Sequence, residues 1–223
     1  MQIQTESKPA RRTQQSRRDS TIGKLVEAAI ECLMEFGYHG TSVQIICSRA
    51  GMSQGALFRH FATKNELMMP VARKVVDDIF ADGAALADSL PKDMPDAERM
   101  VALMKALVLA PRHVVLMELL MAARTTEDLR LLLCKPSENY FRDRFVAMMA
   151  GCFPRYAVHS GFFATLLTMM TTFHGIALYR SVHMNEVGES MREQWLLSAL
   201  RGELEAIRAQ GGDADNPLYR LPF

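Results

Sequence analysis

The stretch 41–64, TSVQIICSRAGMSQGALFRHFATK, constrains the fold of this chain more than any other. Thr41 and Gln44 have the spacing of a capping box, in which each side chain satisfies a backbone donor at a helix start. Val43, Ile46 and Ala50 follow at helical spacing, so the first element has a single apolar stripe. Gly51 can take the left-handed conformation that ends such a helix. Ser53 is a natural N-cap for a second helix over 54–60, which buries Leu57 and Phe61 and leaves Gln54, Gly55, Ala56, Arg59 and His60 on its other face. Thr63 and Glu66 repeat the capping-box spacing and start a third helix. Helix, tight glycine turn, helix is the arrangement whose second member enters the DNA major groove. Two helices packed inside any all-helical domain give the same spacing, so the pattern alone leaves both readings open.

Charge separates them further. Nine Lys/Arg face five Asp/Glu up to Lys64, whereas the rest of the chain is net acidic, within an overall formal charge of +1. The basic excess sits with the motif, as neutralisation of phosphates requires. The 223 residues, 49% of them hydrophobic, suffice for a sizeable core in one large or two small domains. No uninterrupted apolar run approaches the roughly 20 residues of a membrane span, and the polar N-terminus lacks the apolar centre of a secretory signal. Cys32, Cys47, Cys134 and Cys152 are scattered without metal-ligand spacing and read as reduced thiols, so a cytoplasmic chain without membrane partners is expected.

The rest of the sequence is helical in period. Residues 1–19 carry Arg11, Arg12, Arg17 and Arg18 among polar neighbours. This flexible basic arm either follows the DNA or is only a disordered leader. The first helix is expected over 20–36, with Ile22, Leu25, Val26, Ala29, Ile30 and Leu33 inward and Gly37 as its stop. A long helix follows from Lys64 to about residue 90, with Pro70 predicting a kink or an altered start. Pro91 and Pro95 bracket a linker. Helical segments are then expected over 96–109, after Pro111, from Thr125, across Pro136 to Met148, and over 162–183 and 190–208. A tail spans 211–223. No strand pattern and no internal repeat occurs. The expected fold class is all-α, with a helix-turn-helix domain over 20–66 and a larger helical domain over 67–210.

Catalytic motifs are absent from the sequence. It has no glycine-rich phosphate loop, no Gly-x-Ser-x-Gly elbow and no His-Glu-x-x-His. The six histidines never fall four apart, and no cofactor or enzymatic activity is expected. Sixteen methionines, flexible and polarizable, suit either ordinary core filling or a plastic apolar cavity.

The segment 21–67 resembles the tetracycline-repressor (TetR) family of bacterial regulators. The resemblance rests on Phe36-Gly37-Tyr38, Gly40-Thr41-Ser42-Val43, Ala50-Gly51-Met52-Ser53, Gly55-Ala56-Leu57-Phe58 and the run from His60 to Leu67. It implies a three-helix DNA-binding domain, a fourth helix that transmits the signal, and a ligand-binding domain whose last two helices form a homodimer. The stripe Ala164, Leu167, Thr168, Thr171, Gly175 and Leu178, followed by Trp195, Leu196, Ala199, Leu200 and Leu204, fits that dimer face. Two recognition units would then span half-sites about 34–36 Å apart.

Residue chemistry assigns the expected roles at the DNA. Gln54 pairs with adenine and Arg59 with guanine or phosphate. Thr41, Ser42, His60 and Lys64 reach phosphates, partly at helix N-termini. Gln44 and Ser53 belong to the same DNA-facing set, and Gly55 and Ala56 allow close approach to the bases. Phe58 departs from the family, which commonly has a tyrosine there whose hydroxyl reaches a phosphate. For the small-molecule pocket, the expected lining is Met100, Met104, Met117, Met121, Phe141, Phe145, Phe173 and His174, with Arg124 or Asn139 as polar anchors. The function implied is a repressor released from palindromic double-stranded DNA by a small apolar effector. An activator or co-repressor-dependent regulator with the same contacts, or a helical ligand carrier without DNA binding, remain alternatives.

Overall fold

The structure, a computed structural model, describes residues 14–133, 140–157, 159–180, 182 and 186–210. Among them are ten helices and no strand. The N-terminal unit is α1 (Gln14–Gly40), α2 (Val43–Ala50) and α3 (Gln54–Phe58); α4 (Lys64–Ser89) leaves it for the second unit. That unit continues with α5 (Asp96–Val108), α6 (His113–Ala123), α7 (Glu127–Leu133), α8 (Tyr140–Cys152), α9 (Ser160–Arg180) and α10 (Glu186–Gln210).

α1 starts earlier than the sequence indicates: residues 14–19 are helical, so Arg17 and Arg18 extend the helix rather than a loose arm. Arg11 and Arg12 lie outside the described residues. Gly37 is the expected stop, at φ 65°, ψ 179° within the span. Leu25, Ala29, Ile30 and Leu33 are buried, and this face packs on α2, α4 and α6. α4 runs through Pro70 with no non-helical residue, so the proline does not break it. It ends at Leu90 before the Pro91–Pro95 linker.

The core is continuous from α1 to α10. Leu67, Met68, Val71 and Val75 of α4, Met100, Leu103 and Met104 of α5, and Val115 and Leu119 of α6 are all essentially inaccessible. Gly83 lets α4 and α5 approach closely, since a Cβ there would lie 2.9 Å from Leu107 Cδ2. α9 and α10 pack on α5 and on each other. α10 buries Leu196, Leu200, Leu204 and Ile207 inward. Residues 161–180 of α9 are by length and composition apolar enough to cross a membrane, yet only 28% of that window is buried. A search for uninterrupted apolar runs passes over it because threonines and His174 break the run.

Candidate DNA interface and effector cavity

The helix starts of the motif are built by local hydrogen bonds. Ser42, not Thr41, is the N-cap of α2, with the Ile45 N–H donating to its Oγ at 3.2 Å. Thr41 is 2% exposed, and its hydroxyl donates to the Gly37 carbonyl at 2.7 Å. The expected Thr41–Gln44 capping box is therefore replaced by a single cap from Ser42. Thr41 serves the α1–α2 corner, and a buried hydroxyl cannot reach a phosphate. Gly51 closes α2 in the left-handed conformation, at φ 65°. Ser53 caps α3 as expected, accepting from the Ala56 N–H at 3.2 Å. Thr63 caps α4, and Glu66 accepts from the Ala62 N–H at 2.8 Å, one residue before the reciprocal donor of an ideal box.

Lys64 also departs from its expected role. Its ammonium donates to the Tyr38 and Thr41 carbonyls, each at 3.0 Å, and lies 3.8 Å from the Tyr38 ring centre. Burial lowers its pKa. With two of three donors committed inside the protein, Lys64 ties the start of α4 to the end of α1 and leaves DNA to others. Asn65 accepts from the Tyr38 hydroxyl at the same corner. On the far side, Arg49 pairs with Glu35, lies 3.8 Å from Glu31, and sits over the Phe36 ring. These contacts fix α2 on α1.

What remains open on α2 and α3 is one polar surface. Ser42, Gln44, Ser53, Gln54, Gly55 and Arg59 are exposed, while Ala56 and His60 are half-buried beside them. Leu57 is fully buried and holds α3 down. α3 itself is shorter than the 54–60 span: it ends at Phe58, with Arg59 as its C-cap and His60 in the following turn. Phe58 projects 49% exposed from this surface.

The second unit holds a cavity of about 290 Å³ between α4, α6, α8 and α9. α4 contributes Met69, Ala72, Arg73 and Val76, and α6 contributes His113, Leu116, Leu119 and Leu120. Leu133, Tyr140, Met170 and His174 complete the wall. Of the expected lining among the described residues, His174 alone is there. Met100, Met104 and Phe145 fill the closed core, and Phe173 faces a small crevice near Lys105. Met117 and Met121 border a separate groove between α6 and α9, and Arg124 is exposed. Asn139 and the Phe141 side chain lie outside the described residues.

His113 was not singled out by its sequence neighbours, though as the residue opening α6 it stands where the helix meets the cavity. It is 3% exposed, and neither ring nitrogen has a hydrogen-bond partner among the described residues. The His174 ring stacks on it with centroids 4.9 Å apart and planes 23° apart. Burial, with His174 alongside, pushes the His113 pKa down to about 4, and burial lowers that of His174. At the cavity wall Arg73 lies over the Tyr140 ring, whose hydroxyl donates to Asp77 at 2.6 Å.

α6 connects the cavity to the DNA-facing unit. Arg112, one residue before His113, pairs with Glu27 of α1 and Asp78 of α4, the latter at 2.9 Å. Between the cavity residues Leu116 and Leu119, Glu118 accepts from the Tyr38 N–H at 3.0 Å. Gly37 permits that approach, because a Cβ there would stand 2.8 Å from Glu118 Oε2. Both ends of the α1 contact with α6 are thus polar and directional.

Comparison with known proteins agrees with this arrangement. Residues 25–69 match the family model described as bacterial regulatory proteins, tetR family. An uncharacterized HTH-type transcriptional regulator of Mycobacterium tuberculosis, Rv2912c, is 32% identical over 198 residues, covering 86% of this chain and 99% of its own length. The HTH-type transcriptional repressor KstR2 of the same species is 33% identical over 95 residues, 43% of this chain and 46% of its own. The crystal structure of a transcriptional regulator from Rhodococcus sp. Rha1 has the same fold, with a TM-score of 0.58 at 21% identity over 87% of this chain and 98% of that one. A helix-turn-helix held by its own caps, an all-helical second unit and a relative matched along its whole length place this chain in the TetR family of DNA-binding transcriptional regulators.

Proposed function

We propose that this protein is a homodimeric repressor that reads a palindromic operator with α2 and α3 and releases it when a small, largely apolar molecule fills the α4–α6–α8–α9 cavity. The observation that carries the proposal is that α4 and α6 each join the cavity to the helix-turn-helix unit. α4 starts at the motif and lines the cavity, and α6 lines the cavity while gripping α1 through Arg112 and Glu118. A ligand that favours one packing of α6 therefore biases the position of the motif, which is a population shift between two arrangements. Repression is supported by the likeness to a named repressor over 95 residues, with a named activator matched over 77 residues as the competing reading. Access to chromosomal DNA implies action in the cytoplasm.

Dimerisation is supported by what the single protomer leaves uncovered. On α9, Ala164, Thr168, Thr171 and Leu178 are exposed, with Leu167 and Gly175 half-buried. On α10 the expected stripe divides: Leu196, Leu200 and Leu204 turn into the core, while Trp195 and Ala199 stay outside. Trp195 is 71% and Met191 66% exposed. A second copy covering these faces brings two recognition units to one duplex.

For the binding surface, Gln54 and Arg59 read bases or phosphates, Ser42, Ser53 and His60 hold the backbone, and Gln44 borders them. The test is fluorescence anisotropy with the promoter region of the protein's own gene. Binding weakens with salt, and Arg59→Ala costs about tenfold or more. A protein with no salt-dependent binding to lose would be a carrier rather than an operator reader.

A further inference from the structure

We propose that His113 and His174 form a recognition site for an uncharged hydroxyl group, so that the cavity's ligand class is a small phenol or alcohol with an otherwise apolar body. This deepens the effector reading above and rests on it. The volume of about 290 Å³ accommodates a substituted single ring, and the walls contributed by Val76, Leu116, Leu119 and Met170 offer such a ring only apolar contact.

The polar end of the cavity is what discriminates. His113 is buried with both nitrogens unpaired among the described residues, an arrangement that folded proteins normally avoid. Desolvation keeps both imidazoles neutral near pH 7. A neutral imidazole offers one N–H donor and one bare acceptor nitrogen. A hydroxyl is likewise donor and acceptor at one atom, so it can satisfy either nitrogen of the stacked pair. A methyl satisfies neither. An ammonium group offers no acceptor for the N–H. A carboxylate only accepts, leaves the bare nitrogens unpaired, and brings a charge into a largely apolar space. Among the described residues the cation on the wall is Arg73, so an acidic ligand there would depend on Arg73 and not on the histidines.

The test uses the full-length protein and three ligands sharing one body: 4-ethylphenol, 4-ethyltoluene and 4-ethylbenzoate, with calorimetry as readout. A hydroxyl must shed its water, so a cavity lacking a polar partner prefers the toluene. In the wild type the phenol is expected to bind at least as tightly as the toluene, with the benzoate weakest. His113→Phe keeps the ring shape and removes both nitrogens, and should shift the phenol-to-toluene ratio toward the toluene by about tenfold, the worth of one to two buried hydrogen bonds. The wild-type ranking needs no variant, and His174→Phe gives a second route to the same shift if His113→Phe does not fold. A toluene preference in the wild type, a ratio unmoved within threefold by both variants, or benzoate as the tightest ligand would overturn the proposal. Absence of binding by all three would also overturn it. Promoter binding is measured without these ligands, so loss of the hydroxyl site leaves the operator reading standing.

Discussion

Single residues carry the sharpest consequences. His113 titrates near 4 when folded, against about 6.5 in an unfolded chain. Its folded pKa is depressed, so the unfolded state binds more protons between those values and stability falls as pH drops through that window. The loss reaches about 3 kcal/mol below pH 4. Urea unfolding from pH 7 to pH 4 should show this decline in the wild type, and a visibly flatter profile in His113→Phe. Carboxylates held low by arginines, such as Glu98 beside Arg201, add a loss at lower pH in both proteins. Phe58 makes a prediction of opposite kind. Nearly half exposed on the recognition surface, it lacks the hydroxyl that the family's tyrosine directs at a phosphate. Phe58→Tyr should tighten promoter binding by up to about tenfold, in a filter or anisotropy titration, with little change in stability.

At the scale of elements, α6 is a strut with two polar feet on α1. The Arg112 pairs with Glu27 and Asp78 are each about a third exposed, so solvent screening limits their worth to under about 1 kcal/mol of stability. Their directionality matters more than their energy. Arg112→Ala is expected to leave the melting temperature nearly unchanged yet shrink the effect of any effector on promoter affinity by at least about threefold, measured by titrating DNA with and without that effector. An undiminished effect would remove Arg112 from the coupling. The motif itself was readable because its signals are local. Ser53, Thr63 and Gly51 act on backbone groups within three or four residues, and each caps or ends a helix as its chemistry dictates. Thr41 shows the limit of that logic. Threonine and serine are neighbouring candidates for one cap, and the Gly37 carbonyl, presented by the end of α1, claimed Thr41 and left the cap to Ser42.

For the whole molecule, the proposed homodimer rests on the uncovered faces of α9 and α10. A chain of 25.0 kDa should sediment at about twice that mass at micromolar concentration. The sequence has a single tryptophan, so Trp195 reports directly: its emission should shift to the red on dilution as the partner leaves. Trp195→Glu should give monomers with sharply weaker promoter binding, because one half-site then loses its tethered neighbour.

Spacing within a few turns was enough to specify the helical class, the motif with its caps at Ser53 and Thr63, the glycines at 37 and 51, and the stripe of small residues on α9, whereas the cap at Ser42 was not legible there. Only the tertiary structure decided which apolar faces close on each other and which leave a gap. Met100 and Met104 sit at the same helical spacing as any pocket-lining pair, but α5 is enclosed by α4, α9 and α10, so they became core. His113 and His174 lie 61 residues apart and meet only because α6 and α9 pack across the cavity. Lys64 turned inward for the same reason: two carbonyls 23 and 26 residues away were brought within reach of its ammonium. Caps and periodicity act over a few residues and can be read from order alone, whereas a cavity, a buried pair and a clamped cation exist only where distant segments converge.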